Sequence, residues 1–477
     1  MGRSPRRGAA KPIATVRMYK GLLGDCFLLR VKQGDSVSHI LVDCGILQNV
    51  PGDAARMKAV GEDIVAATGG RLDLLVVTHE HHDHISGFAH ASEVFFSDRL
   101  KIDNLWMGWT ENDDDPQAKA LNARFNKVKH ALAVAGGRAV ALEEAGVPGA
   151  AAALAGLENF IGPFEAVGGA LGATERLTGR VIMRKLKEKV RADGGRPLFL
   201  EPGSVLDTPG EARLRAHVLG PPRTEARLFQ DLPTRRAGES HETYLDQRFA
   251  AADQLLGLET DRPGGDRPFP PRYALTETEV QAGGNEAADW LRDRYYGDTS
   301  WQRVDTEWLG SASMLALKLD SDTNNTSLAL AFETTPGGKV LLFAADAQVG
   351  NWLSWHDQTY GDPPVAAADL LERTVLYKVG HHASHNATLR DQGLELMRQG
   401  ELTAMIPVVE EVARAQGRKD KDGKPTGWNM PYPPLLARLE HLTAGRVIRG
   451  DRPLDLSLFP PGQAREQDLW VEVDIVG

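Results

Sequence analysis

Short apolar runs punctuated by Gly- and Asp-containing turns open the chain. Residues 14–19, 26–32 and 39–42 read as strands, with a turn at 21–25 and an exit through Asp43-Cys44-Gly45. Residues 52–68 read as a helix. The nearly continuous apolar run 72–77 suits a strand buried on both faces, and it runs directly into Thr78 and a cluster of histidines. A further strand is expected at 102–107.

From residue 116 the pattern changes. Helical stretches are expected at 117–135, 150–160 and 179–190, followed by strands at 198–200 and 213–219 that stop at Gly220-Pro221-Pro222. Residues 223–310 are polar and rich in Pro and Arg, with a helical patch at 285–295. Segments 116–197 and 223–310 therefore read as two large insertions into a strand-built core. The core resumes with strands at 327–332, 339–343, 375–379, 403–408 and 446–448, and with helices near 366–372, 388–398 and 434–443. The expectation is an α/β domain over 13–477 preceded by a disordered tail at 1–12.

Composition narrows the classes. The chain has 477 residues, 42% of them hydrophobic and 25% charged, which is enough for a sizeable core. No apolar run approaches the roughly 18–20 residues of a transmembrane helix, so no membrane span is expected. A net charge of −10 argues against a protein that coats DNA, though not against a local basic groove. With two cysteines, Cys26 and Cys44, a disulfide framework is excluded and a reducing, cytoplasmic setting is expected.

The chemistry is concentrated. Of 14 histidines, 7 stand in two short clusters: His79, His81, His82 and His84, and His381, His382 and His385. The first reads His-x-His-x-Asp-His after a buried strand. Imidazole and carboxylate are the ligands of Zn²⁺ and related divalent ions. At i and i+2 of an extended segment, His79 and His81 point to one side and can grip one ion. Asp83 and His84, where the chain turns toward a helix, can face a second. Further ligands are expected at other strand ends: Asp346 after 340–343, and His381 after 375–379. Between His381 and His382 the former is favoured, because it is nearer the strand end.

These residues resemble the metallo-β-lactamase-fold hydrolase superfamily, with Asp43 as the acidic residue after an early strand. The segments Gly24-Asp25-Cys26-Phe27-Leu28-Leu29, Asn324-Asn325-Thr326-Ser327-Leu328 and His381-His382-Ala383-Ser384 look most like the competence-protein (ComEC-like) hydrolase-domain branch. The resemblance implies an αββα sandwich with the metals at one edge. It implies Zn²⁺, as one or two ions, or Mn²⁺ instead, and a metal-held hydroxide as nucleophile. It also implies metal ligation by His79, His81, Asp83, His84, Asp346 and His381, with Asp83 and Asp346 central to catalysis and Asp346 as the bridging carboxylate. Asp43, Asn324 and His382 would support those ligands. One histidine of the superfamily pattern has no equivalent here; Asn324 stands at the matching place, leaving one ion or two as alternatives. His217 is read as a surface residue, and His241 falls in the second insertion.

The expected activity is hydrolysis of a phosphodiester in a phosphate-containing substrate, such as a nucleic acid or nucleotide. A carboxylic ester, thioester or lactam is the alternative, and a non-catalytic metal-binding interaction module the third reading. Basic residues at 176–196 and 414–424 read first as a solvated helix face and a loop, and in second place as phosphate contacts. Trp106, Trp109, Trp352 and Trp355 are candidates for stacking or for the core.

Overall fold

The computed structural model describes residues 12–47, 50, 52–144, 179–230, 275–295, 308–416 and 427–477. The tail except Pro12, which opens the first strand, the helix expected at 150–160, much of both expected insertions, His241, Arg176 and the basic stretch 418–424 lie outside the described residues.

Among the described residues the strands form two large sheets. The first contains β1 (Pro12–Tyr19), β2 (Cys26–Gln33), β3 (Ser36–Cys44), β4 (Leu74–Val76), β5 (Asn104–Gly108) and β6 (Arg196–Leu200). The second contains β7 (Val205–Asp207), β8 (Arg215–Val218), β9 (Leu330–Glu333), β10 (Val340–Phe343), β11 (Thr374–Lys378), β12 (Thr403–Ile406) and β13 (Val447–Arg449). The chain then returns to the first sheet with β14 (Ala464–Glu466) and β15 (Trp470–Val476). The orders are β14-β15-β1-β2-β3-β4-β5-β6 and β13-β12-β11-β10-β9-β8-β7. Each sheet has an antiparallel half and a parallel half; β3-β4-β5-β6 and β10-β11-β12-β13 are parallel.

Strand periodicity explains the layering. On β3, Ile40 and Val42 face one way and Leu41 the other; on β10, Leu341 and Phe343 oppose Val340 and Leu342. The inward set fuses into one core between the sheets, including Val16, Phe27, Trp106, Phe332 and Met405. The outward set of the first sheet packs against α1 (Asp53–Thr68), α2 (His82–His90) and α3 (Gly179–Ala192). That of the second packs against α4 (Val349–Trp355), α5 (Ala367–Glu372) and α6 (Pro433–Leu442). The result is an αββα sandwich.

The chain divides into two compact units, Met1–Asn122 with Gly172–Glu239 and Ser321–Gly477, and Ala123–Leu171 with Ser240–Asp320. The sandwich is the first. The second unit holds two short capped helices, Glu277–Ala282 behind a Thr276/Glu279 capping box and Glu286–Arg294 behind Asn285. Helix α3, expected within the first insertion, belongs to the sandwich and buries Ile182, Met183, Leu186 and Val190 there; β6 follows it. The helix expected at 388–398 is a series of turns with one 3₁₀ turn at Leu394–Leu396, because Gly393 leaves the helical region (φ −144°, ψ −101°).

His217 is not a surface residue. It is 2% exposed, bonded to Glu333 at 3.3 Å, with the Tyr360 ring 6.1 Å away. Alternation predicted its face correctly, but the hairpin of Thr359–Tyr360 and Val365–Ala366 supplies Tyr360 against it. All four candidate tryptophans are core residues, and the indole N–H groups of Trp109, Trp352 and Trp355 are spent on Pro221 O, Ala387 O and Asn351 Oδ1.

Phe343 lies at the centre of the inter-sheet core, edge-on to Phe27 at 5.6 Å and to Phe332 at 5.8 Å. Phe343→Ala should cost about 3–5 kcal/mol, the range for emptying a buried aromatic site. Denaturant unfolding measures it; a loss under about 1 kcal/mol would mean that this core does not hold the sheets together.

Candidate metal centre

The parallel strands of both sheets end on one edge, where ligands bind in open α/β sheets. Asp43 closes β3, residues 77–84 follow β4, Ala344 to Asp346 follow β10, and Val379 to His382 follow β11. Several of these exits are left-handed at non-glycine residues: Asp43 (φ 55°), Ala345 (φ 49°), His381 (φ 42°), His382 (φ 51°) and Ala383 (φ 64°). Each such residue costs about 1–2 kcal/mol, so the surroundings must hold it in place.

Asp43 does much of that holding. Buried completely, it accepts the Thr78 N–H through Oδ1 at 2.8 Å and the Thr78 hydroxyl through Oδ2 at 2.7 Å. The same Oδ2 meets His84 Nδ1 at 2.8 Å. His84 therefore turns its Nε2 toward Asp346 Oδ2 at 3.2 Å and Asp83 Oδ2 at 3.8 Å. His382 is held in the same manner: Nδ1 meets Pro407 O at 2.8 Å, and Nε2 faces Asp83 Oδ2 at 2.9 Å. Ligating histidines are oriented this way, by a bond from the ring nitrogen that does not bind metal.

Among the described residues, Asp83, His84, Asp346 and His382 offer ligand atoms that all lie within 4.8 Å of one another. His84 Nε2 is buried with no hydrogen-bond partner. An orphaned imidazole nitrogen facing two carboxylates is what a divalent cation would satisfy, so these residues fit an ion.

Electrostatics agree with that fit. Burial would press His84 toward neutrality, but Asp346, Asp25, Asp83 and Asp43 outweigh it and raise its pKa well above the ordinary value. Burial would raise Asp83, yet His84 and the bond from His382 hold it far below the carboxylate range. Asp346 is likewise lowered, against burial, by His84 and Lys378. A metal ion would displace the protons that this acidic nest otherwise collects.

The second histidine of the late pair, not the first, enters the cluster. Three successive left-handed residues turn the chain so that His381 points its Nδ1 at Ser384 Oγ, 3.0 Å away, and burial pushes its pKa down to about 4. Its backbone N–H still serves the site, donating to Asp346 Oδ1 at 3.1 Å. His79 and His81 form a separate pair, Nε2 to Nδ1 at 3.0 Å, and belong neither to that cluster nor to a second group among the described residues, Asp25, Asp43 and His84. Burial and the neighbouring His84 and His81 keep His79 neutral. His82 is exposed on α2. Asn324 is buried at the end of the helix Trp308–Asn324. Ser327, three residues on, touches His79 Nδ1 at 3.3 Å and accepts the Asp346 N–H at 3.3 Å.

Residues 19–165 match the metallo-beta-lactamase superfamily. The matched stretch contains Asp43 and the whole His79–His84 motif; Asp346 and His382 come to it through the fold. The match implies a metal-dependent hydrolase. No curated protein matches the chain.

Sequence reading missed Asp25 and Lys378 as site residues. Lys378 is 1% exposed and ion-paired with Asp25 beneath the ligands. The signal was present: a lysine closes the otherwise uncharged, fully buried strand Thr374–Lys378.

Two outcomes follow. His382→Ala should lose bound metal, with affinity down at least about tenfold, whereas His381→Ala, which keeps the backbone N–H, should retain it; metal analysis after dialysis separates them. Gly45 passes so close to the histidine loop that a Cβ would stand 2.1 Å from the Asp83 carbonyl oxygen. Gly45→Ala should therefore destabilise the protein by roughly 1–3 kcal/mol and weaken metal uptake; calorimetry with and without added Zn²⁺ reads both.

Proposed function

We propose that the protein hydrolyses a phosphodiester with a divalent metal ion, most simply Zn²⁺ with Mn²⁺ as the other candidate. The observation that carries the metal-dependent part is the convergence of Asp83, His84, Asp346 and His382, with both imidazoles pinned from behind by Asp43 and Pro407 O. When bound there, such an ion supplies a Lewis acid and lowers the pKa of water.

The protein's own groups do the rest. Asp83, Asp346, His84 and His382 would hold the ion. The His79–His81 pair stands beside it with nitrogen atoms facing each other, and the rings of His79 and His84 lie 4.2 Å apart. Neutral His79 with half-exposed His81 forms a two-nitrogen set that could take part in holding a second ion.

The phosphodiester assignment is supported by the likeness to competence-protein hydrolase domains, whose landmark segments here supply Asp25, Ser327 and His382 to one site. A carbon ester, thioester or lactam is the second reading. It is favoured by the basic helix α3, where Lys187 is bound to Asp113, Lys189 to Asp193, and Arg184 to Glu188, so these charges are already matched. Two buried thiols, Cys26 and Cys44, face each other across β2 and β3 and suit a reducing, cytoplasmic setting.

The test is a substrate panel with metal control. Bis-p-nitrophenyl phosphate and plasmid DNA should be cleaved by the Zn²⁺- or Mn²⁺-loaded protein and spared after chelation. Cleavage of thioesters or nitrocefin in their place would select the second reading, and full activity after chelation would remove metal dependence altogether.

A further inference from the structure

Lys378 ends β11 with its side chain almost wholly buried, and an ammonium in that position needs three acceptors. It has them: Asp25 Oδ2, Ala345 O at 3.0 Å and Asp346 Oδ1 at 3.4 Å. No donor is left over for a substrate. Asp346 Oδ1 also accepts the His381 N–H at 3.1 Å, so this oxygen is engaged twice from behind. The other oxygen, Oδ2, faces His84 Nε2 at 3.2 Å.

Asp25 ties this arrangement to the opposite sheet. It stands just before β2, donates its N–H to Asp83 O at 2.9 Å and accepts the Gly45 N–H at the same distance. Asp83 and His84 come from the loop after β4, in the first sheet; Asp346 follows β10, in the second. The Asp25–Lys378 pair joins the two halves.

We infer that Lys378, held by Asp25, is a positioning residue for the metal centre: it locks the Asp346 carboxylate so that Oδ2 alone is presented to the ion, and it fixes the spacing between the ligands of the two sheets. The inference rests on the metal-site reading above. Stability alone gives weak reason for such a pair, since a buried ion pair is often no better than well-packed apolar residues. Its charge also points the other way. A cation beside a metal site repels the ion, so a lysine that merely sat there would weaken binding, and its removal would tighten it. A positioning lysine has the opposite sign: without it Asp346 Oδ1 keeps only the His381 N–H, the carboxylate is less firmly fixed, and binding weakens.

The experiment compares wild type, Lys378→Met and the double variant Asp25→Asn/Lys378→Met, which removes the pair without leaving Asp25 as an unpaired buried carboxylate. Zn²⁺ affinity is measured by competition with a chromogenic chelator, and the Co²⁺-loaded proteins are examined by visible absorption. Both variants should bind Zn²⁺ at least about tenfold more weakly, and the cobalt bands per bound ion should shift as the carboxylate changes its presentation. Affinity equal to or tighter than wild type, with an unchanged cobalt spectrum, overturns the inference. If Lys378→Met does not fold, the double variant decides by the same two readings. Failure of wild type itself to bind Zn²⁺ or Co²⁺ would overturn the metal-site reading on which this rests, an outcome distinct from a difference between variants.

Discussion

The centre depends on one desolvated carboxylate. Asp43 has no contact with water, and leaving a buried charge unpaired would cost several kcal/mol. Its bonds to Thr78 N, Thr78 Oγ1 and His84 Nδ1 meet that cost, and each also determines geometry. The Thr78 bonds fix where β4 ends and the histidine loop begins. The His84 bond selects a ring orientation and leaves Nε2 for the ion. The left-handed backbone at Asp43 is tolerated because these bonds over-determine it. Close behind, Gly45 permits strand and loop backbones to approach to a distance that no side chain would allow.

What sequence could reveal follows from how local each feature is. The His79–His84 motif was legible because all its members stand on one short loop, and Asp346 because an apolar strand points to its own end. The strands were legible because buried strands announce themselves as apolar runs, whereas the αββα layer order came only from the family resemblance. The choice between His381 and His382 was not. Counting from a strand end assumes an ordinary turn, and here three left-handed residues in succession change which ring faces inward. The burial of His217 was hidden for a different reason: alternation gives a face, while the cover over that face comes from a hairpin more than a hundred residues away.

Charge patterns carry the same ambiguity. The basic run ending near residue 196 looks like a phosphate contact when read linearly. Folded, its described part is an amphipathic helix with an apolar stripe in the sandwich and lysines and an arginine paired with acids. Lys378 shows the converse. A lone lysine on an apolar strand draws little notice in a composition count, yet it lies beneath the ligands.

The bond between Asp83 and His382 joins residues 299 positions apart. Such a contact closes only after two separately formed sheets have met, a non-local and therefore late event in folding. An ion held by Asp83, His84, Asp346 and His382 would draw its ligands from both sheets, and so would bind the assembled sandwich more tightly than either sheet alone. The difference in binding free energy would be added to the docked state, growing with the logarithm of free metal concentration. Removing the ion would lower the stability of the docked state by that amount while leaving the packing within each sheet unchanged.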